Sequence, residues 1–296
     1  MCSAVVKANA HDLHQAVLSG GVDNVRELLD LNTITINSTV CGATALSLAL
    51  YKEQMLAFEL ILFHRCTKHQ LDLNKLSKDE KQRVEPPLVT TCRLGNEDAV
   101  RMLVARGADL EATDNFRHTA LWMATRQRHT DLARFLVDSG ACVNPSMMWT
   151  HSPLYFAVKY SSKRTQIAKL LIQNGGNVNI HNGPSLLFCA IVQGSIDVAK
   201  LIVAAGYHVS KDGNIRTEFN AGTLTRNANL IAWLREELSC PVSLQRQCRS
   251  AIRQTIRETP QGNNYFLRKL GKLPLPPGII DYLTLYDEVN LGSATR

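Results

Sequence analysis

Leucine returns along this chain at a fixed interval. Leu13 and Leu46 stand 33 residues apart. After a longer gap come Leu88, Leu121, Leu154 and Leu187, each 33 residues from the last. A second ladder keeps step with the first: Leu28, Ile61, Leu103 and Leu136 each fall 15 residues after the leucine they accompany. A period of this length is one supersecondary unit, and one such unit cannot bury its apolar face alone. The chain is therefore constrained to a stack of like units, with the two ladders forming its core.

The wording inside the period narrows the choice. Arg117-His118-Thr119-Ala120-Leu121-Trp122-Met123-Ala124 resembles the ankyrin consensus, and so does the stretch from Ala99 to Leu110. Gly107-Ala108-Asp109, Gly140-Ala141-Cys142 and Gly175-Gly176-Asn177 punctuate the ends of second helices, where glycine supplies the left-handed residue that stops a helix. Six repeats are clear. A seventh is degenerate: Val198 and Leu201 map by 33 onto Ile231 and Leu234, but Leu187 maps onto Asn220. Its second helix, Asn229 to Leu238, survives better than its first, which suits a terminal cap. An insertion at about 64–84 is rich in Lys, Asp and Glu, and is expected to form an extended surface loop or short helix.

Beyond the repeats, Leu244, Cys248 and Ile252 fall four residues apart and share one helical face, while Arg246, Arg249 and Arg253 fall elsewhere around it. Leu273-Pro274-Leu275-Pro276-Pro277 follows, an extended turn that cannot continue a helix. This pairing resembles a SOCS box over residues 241–286, and with the repeats it resembles the ankyrin repeat and SOCS box family. The resemblance implies an all-α fold: an ankyrin solenoid of six to seven repeats over 1–239, a three-helix SOCS box over 240–286 and a tail over 287–296. It implies that Leu244 and Cys248 enter a pocket on elongin C, with Ile252 flanking. It makes Leu273, Pro274, Leu275 and Pro276 the contact to a five-type cullin with its RING partner, and puts Ile279, Ile280, Tyr282 and Leu283 in the third helix. One departure stands out: Glu258 to Asn264, with Pro260 and Gly262, lengthens the stretch between the two motifs.

The function so implied is substrate recognition. The array would hold a protein target while the box joins elongin B/C and the cullin, leading to ubiquitination and proteasomal degradation. The chain itself would be a non-catalytic subunit, since neither a RING-type Cys/His lattice nor a supported reactive cysteine is visible. The alternative is a plain ankyrin scaffold whose C-terminal helix caps the array and joins no ligase.

Composition bounds the rest. The formal charge is +7, concentrated in the box. Residues 241–286 hold seven basic and two acidic residues (net +5), whereas residues 1–240 hold 25 basic and 22 acidic (net +3). No basic run of nucleic-acid type appears in the repeats, so no nucleic-acid role is expected. No apolar run reaches membrane-spanning length, and the N-terminus lacks a signal-peptide pattern. The eight cysteines, Cys2, Cys41, Cys66, Cys92, Cys142, Cys189, Cys240 and Cys248, form no CxxC pair, which fits a cytoplasmic protein, with the nucleus also open to it. No cofactor or metal is expected. His64, Cys66 and His69 lie close in sequence, but their spacing matches no zinc module, and a solvated insertion is the stronger reading.

Other positions admit two readings. Trp122, Tyr155 and Phe188 share one register, either as a recognition stripe or as aromatics stacked between repeats; stacking is the stronger. His11 and His14 open the first helix as capping or surface residues. Arg93, Arg126 and Lys159 are 33 apart, each five residues after its leucine, either as a basic row for an acidic target or as a solvated face. Asn115, Phe116 and His118, with Met148 and Trp149 of the longer turn 144–151, are expected at turn tips that close one side of a substrate groove.

Overall fold

The computed structural model describes residues 10–31, 35–67, 70–145, 149–160, 165–179, 185–207, 209, 215, 228–239, 243–258 and 266–285. The chain divides into two compact units, Met1–Met123 and Ala124–Arg296. In the first, helices pair as α1 (Ala10–Ser19) with α2 (Val22–Asp30), α3 (Ala45–Tyr51) with α4 (Met55–Phe63), and α5 (Pro87–Leu94) with α6 (Glu97–Ala105). Helix α7 (Ala120–Gln127) crosses the division. The second unit holds α8 (Thr130–Asp138), α9 (Pro153–Lys159) with α10 (Thr165–Gln173), α11 (Leu186–Val192) with α12 (Ile196–Ala204), and α13 (Ala228–Ser239). The box follows as α14 (Leu244–Glu258), α15 (Phe266–Leu270) and α16 (Pro277–Thr284).

The period has a physical basis in each helix pair. Leu13, Leu46, Leu88, Leu121, Leu154 and Leu187 are all buried, as are Ile61, Leu103 and Leu136. Leu28 is only half-buried; Val25 and Leu29 take the core side of α2 instead. The starts of the first helices repeat as well. Two residues before the aligned leucine, the side chains of Thr44, Thr119, Ser152 and Ser185 accept from the backbone N–H of Ser47, Trp122, Tyr155 and Phe188, at 3.0–3.3 Å. Each satisfies one of the donors that a helix N-terminus leaves unpaired.

The insertion lies mostly at the surface, but it departs from a plain loop or short helix in carrying short strands. Its strands β3 (Ser77–Lys78) and β4 (Val84–Glu85) pair antiparallel, and the preceding hairpin pairs β1 (Thr39–Val40) with β2 (Ala43–Thr44). Lys78 N–H donates to the Gly42 carbonyl at 2.8 Å, and buried Ser77 shares a 3.1 Å hydroxyl bond with Thr44. Thr67 is buried too, its hydroxyl donating to the Ile61 carbonyl at 2.8 Å. These polar side chains bury because each finds a partner, so the insertion is tied to the array at these points while most of its charged residues stay exposed.

His14 also departs from expectation. It is buried, with Nδ1 2.6 Å from the Ala10 carbonyl and Nε2 2.8 Å from the Ala43 carbonyl, and so ties the first repeat to the second. In the degenerate seventh repeat, Leu234 of α13 is buried, while Asn220 lies outside the described residues.

Candidate docking helix and its anchorage

Helix α14 presents two unlike faces. Leu244 is 75% exposed, and Cys248 and Ile252 on the same face are exposed with it. Arg249, Arg253 and Ile256 on the other face are buried. This inverts the usual amphipathic rule, in which the apolar stripe faces the core. Of the arginines that fall away from the Leu244 face, Arg249 and Arg253 are among the helix's most deeply packed residues.

Arg253 explains how a charge is accommodated there. Its Nη1 donates to the Leu283 carbonyl in the last turn of α16 at 2.5 Å, and its Nη2 donates to the Ile172 carbonyl in the last turn of α10. Carbonyls at helix C-termini lack intrahelical partners and carry the negative end of the helix dipole, so a guanidinium suits them. The Phe266 ring lies under the guanidinium at 4.7 Å. Burial, with the like charges of Arg257 and Arg249, draws the Arg253 pKa down to about 9, which leaves it charged at neutral pH. Arg249 stacks over the Tyr282 ring at 4.4 Å, and Arg246 pairs with Glu237 of α13 at 2.6 Å.

The box rests on the ends of array helices. A Cβ built on Gly175, just past α10, falls 2.8 Å from the Phe266 ring; one built on Gly206, just past α12, falls 2.2 Å from Ser250 Oγ. Arg268 Nη2 donates to the Asp138 carbonyl at the end of α8 at 3.2 Å. The box keeps its own small core of Ile256, Phe266, Leu270 and Leu283.

The proline segment divides by exposure. Leu273, Pro274 and Pro276 are exposed, whereas Leu275 is half-buried against the box core. Pro277 then opens α16, where its missing N–H leaves no bond unmade. Ile279 in that helix is exposed, Ile280 and Tyr282 are half-buried, and Leu283 is buried. Residues 259–264, the long stretch between the two motifs, lie outside the described residues.

The residues expected to hold a target separate. Arg93 is engaged internally: its Nε lies 2.9 Å from Glu85, and its Nη2 lies 3.7 Å from Asp79, both acids being buried. A five-residue offset from a leucine fixes a helix position, not what the insertion brings against it. Arg126 and Lys159 are exposed in the last turns of α7 and α9, and Lys159 Nζ sits 5.8 Å from the Tyr155 ring and 5.7 Å from the Tyr160 ring.

At the hairpin tip, Asn115 and Phe116 are exposed and His118 is half-buried. Asp114 holds this turn: its Oδ1 accepts from the Phe116 and His118 N–H groups at 2.8 Å, and its Oδ2 lies 3.0 Å from His118 Nδ1. The His118 ring stacks 3.6 Å from buried Trp122, and Phe116 tilts against His118 at 6.0 Å. Trp122 and Tyr155 are buried and Phe188 is half-buried, which is the packing reading of that register. Met148 lies outside the described residues, and so does the side chain of Trp149 in its 3-10 turn. His64 of the insertion pairs with Asp30 at 3.3 Å, while His69 lies outside the described residues.

Comparisons with known proteins distinguish the repeats from the box. Residues 63–147 match a family of ankyrin repeats in three copies, and 151–183 match a further ankyrin repeat. Residues 240–284 match the SOCS box. An ankyrin repeat protein of fowlpox virus is 29% identical over 157 residues, covering 51% of this chain; the chain spans 41% of that relative's length. An ankyrin repeat domain of Acinetobacter baumannii aligns with TM-score 0.56 and 26% identity over 66% of this chain and 97% of that one. The ankyrin domain of Bcl-3 aligns with TM-score 0.61 and 24% identity over 76% of this chain and 97% of that one.

The fold is thus a repeat-built array carrying a C-terminal helical box. The chain combines ankyrin repeats with a C-terminal SOCS box, the architecture of ankyrin repeat and SOCS box proteins. Among the described residues, no helix is long and apolar enough to cross a membrane.

Proposed function

We propose that the protein is the substrate-recognition subunit of an elongin B/C–cullin ubiquitin ligase with a five-type cullin and RING partner. The observation that carries this reading is the outer face of α14. Leu244, Cys248 and Ile252 lie exposed on a helix whose opposite face is anchored to the array. An apolar stripe on an immobilised helix is suited to a partner's groove, where a few anchors supply most of the affinity. Elongin C takes these three side chains. Leu273, Pro274 and Pro276 meet the cullin, with Leu275 packed beneath them on the box core, in a stretch that three prolines stiffen so that little entropy is lost on docking.

The subunit does no chemistry itself. It brings a target lysine near a ubiquitin-charged conjugating enzyme by raising the local concentration, and the modified target is degraded by the proteasome. Target binding belongs to the ankyrin repeats: exposed Arg126 and Lys159 in one unit suit acidic side chains, and the tip of Asn115, Phe116 and His118 in the other offers an aromatic contact. The protein works in the cytoplasm or nucleus, where thiols such as exposed Cys248 stay reduced.

The competing reading is an ankyrin scaffold with no ligase. Co-purification decides between them. Wild type retains elongin B/C, and Leu244→Asp loses it without loss of helicity. Retention of elongins by that variant at the wild-type level overturns the assignment.

A further inference from the structure

We infer that Arg253 is a positioning residue that fixes the orientation of the docking helix on the fourth to sixth repeats, so that whatever binds α14 is carried at one angle to that part of the array. This rests on the outer face of α14 being the ligase contact.

Three observations converge on the residue. It is fully buried, yet among the described residues its charge meets no carboxylate; it meets the carbonyls of Ile172 and Leu283, each at the end of a different helix. One guanidinium therefore joins three elements: its own docking helix, the second helix of an ankyrin repeat and the last helix of the box. Its fork of donors can serve two acceptors at once, which the single ammonium of lysine on its flexible stem does less well.

The surrounding contacts agree with that geometry. Phe266 covers the guanidinium and also touches Gly175; Ser250, on the same helix as Arg253, meets Gly206; and Arg268 reaches the Asp138 carbonyl. The contacts at Gly175, Gly206 and Asp138, with that at Ile172, all fall on the ends of second helices or the residues just past them, so the box lies along the ends of α8, α10 and α12.

Stability alone is a weak reason for this arrangement. A buried charge is expensive to desolvate, and an apolar side chain of similar volume fills such a space about as well. What an apolar replacement lacks is direction: it does not select one angle between two helix ends. The immediate neighbour of Arg253 is Ile252, on the docking face. Holding Arg253 therefore holds the orientation of that face.

The test uses the full chain with elongin B/C. Spin labels are placed through non-natural residues at exposed Lys200 on α12 and exposed Ile279 on α16, and their distance distribution is measured. Wild type gives one narrow peak. Arg253→Met keeps melting temperature and elongin co-purification, yet shifts or broadens the peak; Arg253→Lys falls between them. Phe266→Leu, which keeps the arginine and removes its ring, gives a smaller change in the same direction. The proposal is overturned if the Arg253→Met distribution superimposes on wild type. It is also overturned if Arg253→Met unfolds the box while Phe266→Leu leaves the distribution unmoved, because Arg253 is then core filling. Should wild type itself fail to retain elongin B/C, the ligase reading falls, while the distance measurement still decides whether Arg253 sets the angle.

Discussion

Phe266 sits on Gly175, so close that a Cβ at that glycine falls 2.8 Å from the ring. Gly175 has φ +85°, where an L side chain is strained, and a Cβ there must also displace an aromatic ring. Gly107 has nearly the same backbone, φ +83°, with nothing within 4 Å of its absent Cβ. The pair isolates the contact from the strain. Gly107→Ala should cost about 1 kcal/mol, the backbone term alone. Gly175→Ala should cost roughly 2–4 kcal/mol, through strain plus overpacking, and should raise hydrogen exchange in α15. Denaturant melts check both; equal losses at the two glycines would show that Phe266 yields freely.

The proline segment gives a second pair. Leu273 and Pro274 are exposed, whereas Leu275 packs against Ile256, Phe266, Leu270 and Leu283. The double change Leu273→Ala, Pro274→Ala should keep elongin B/C and lose the cullin, with the melting temperature unchanged. Leu275→Ala should instead destabilise the box by about 1–2 kcal/mol, as partial removal of a core side chain does, and weaken both partners together. The division fails if the exposed pair also loses elongins.

The repeat architecture was legible because one physical requirement recurs six times. Leu13 through Leu187 are buried wherever the period puts them, and Thr44, Thr119, Ser152 and Ser185 cap the helices at the same offset. Periodicity also showed that Leu244, Cys248 and Ile252 share a face. It did not show which face of α14 the array covers, because spacing groups side chains without saying what lies opposite. The burial of Arg249 and Arg253 followed from distant elements, the ends of α10 and α16, which no local pattern brings together. Spacing is silent about the partners of Arg93 for the same reason. Its partners Asp79 and Glu85 come from the segment that breaks the period, and so from the stretch about which the repeat says least.

That internal engagement of Arg93 sets a third expectation. Arg93→Glu places a third carboxylate beside buried Asp79 and Glu85. Arg83 still pairs with Asp79, but Glu85 loses its cation; removing one partner from a buried ionic cluster costs about 3–5 kcal/mol, so the first unit should melt well below wild type. Arg126→Glu with Lys159→Glu, both at exposed sites, should leave the melt within about 0.5 kcal/mol and reduce capture of acidic targets and its salt sensitivity. Calorimetry and ubiquitin-remnant proteomics read the two effects separately. Unchanged target capture by the double variant would remove Arg126 and Lys159 from the binding surface.

The last expectation concerns Asp114 and acid. Burial alone would raise its carboxyl, but the His118 ring, the His118 N–H and the Phe116 N–H all bond it and hold it below the usual carboxylate range. A carboxyl with a folded pKa lower than its unfolded one stabilises the fold above the unfolded value, and this stability is lost as pH falls through the folded value. The hairpin tip should therefore loosen on the acid side, with faster exchange at the Phe116 and His118 amides. Asp114→Asn keeps an oxygen for those two N–H groups but no charge; it should cost about 1 kcal/mol at neutral pH and flatten the acid dependence. Asp114→Ala leaves both N–H groups without their acceptor and should cost roughly 2–3 kcal/mol. Phe116 is 61% exposed on this turn, so if it is a target anchor, the alanine variant should bind its targets more weakly than the asparagine variant. An asparagine variant that keeps the wild-type pH profile of amide exchange would show that another group governs the turn.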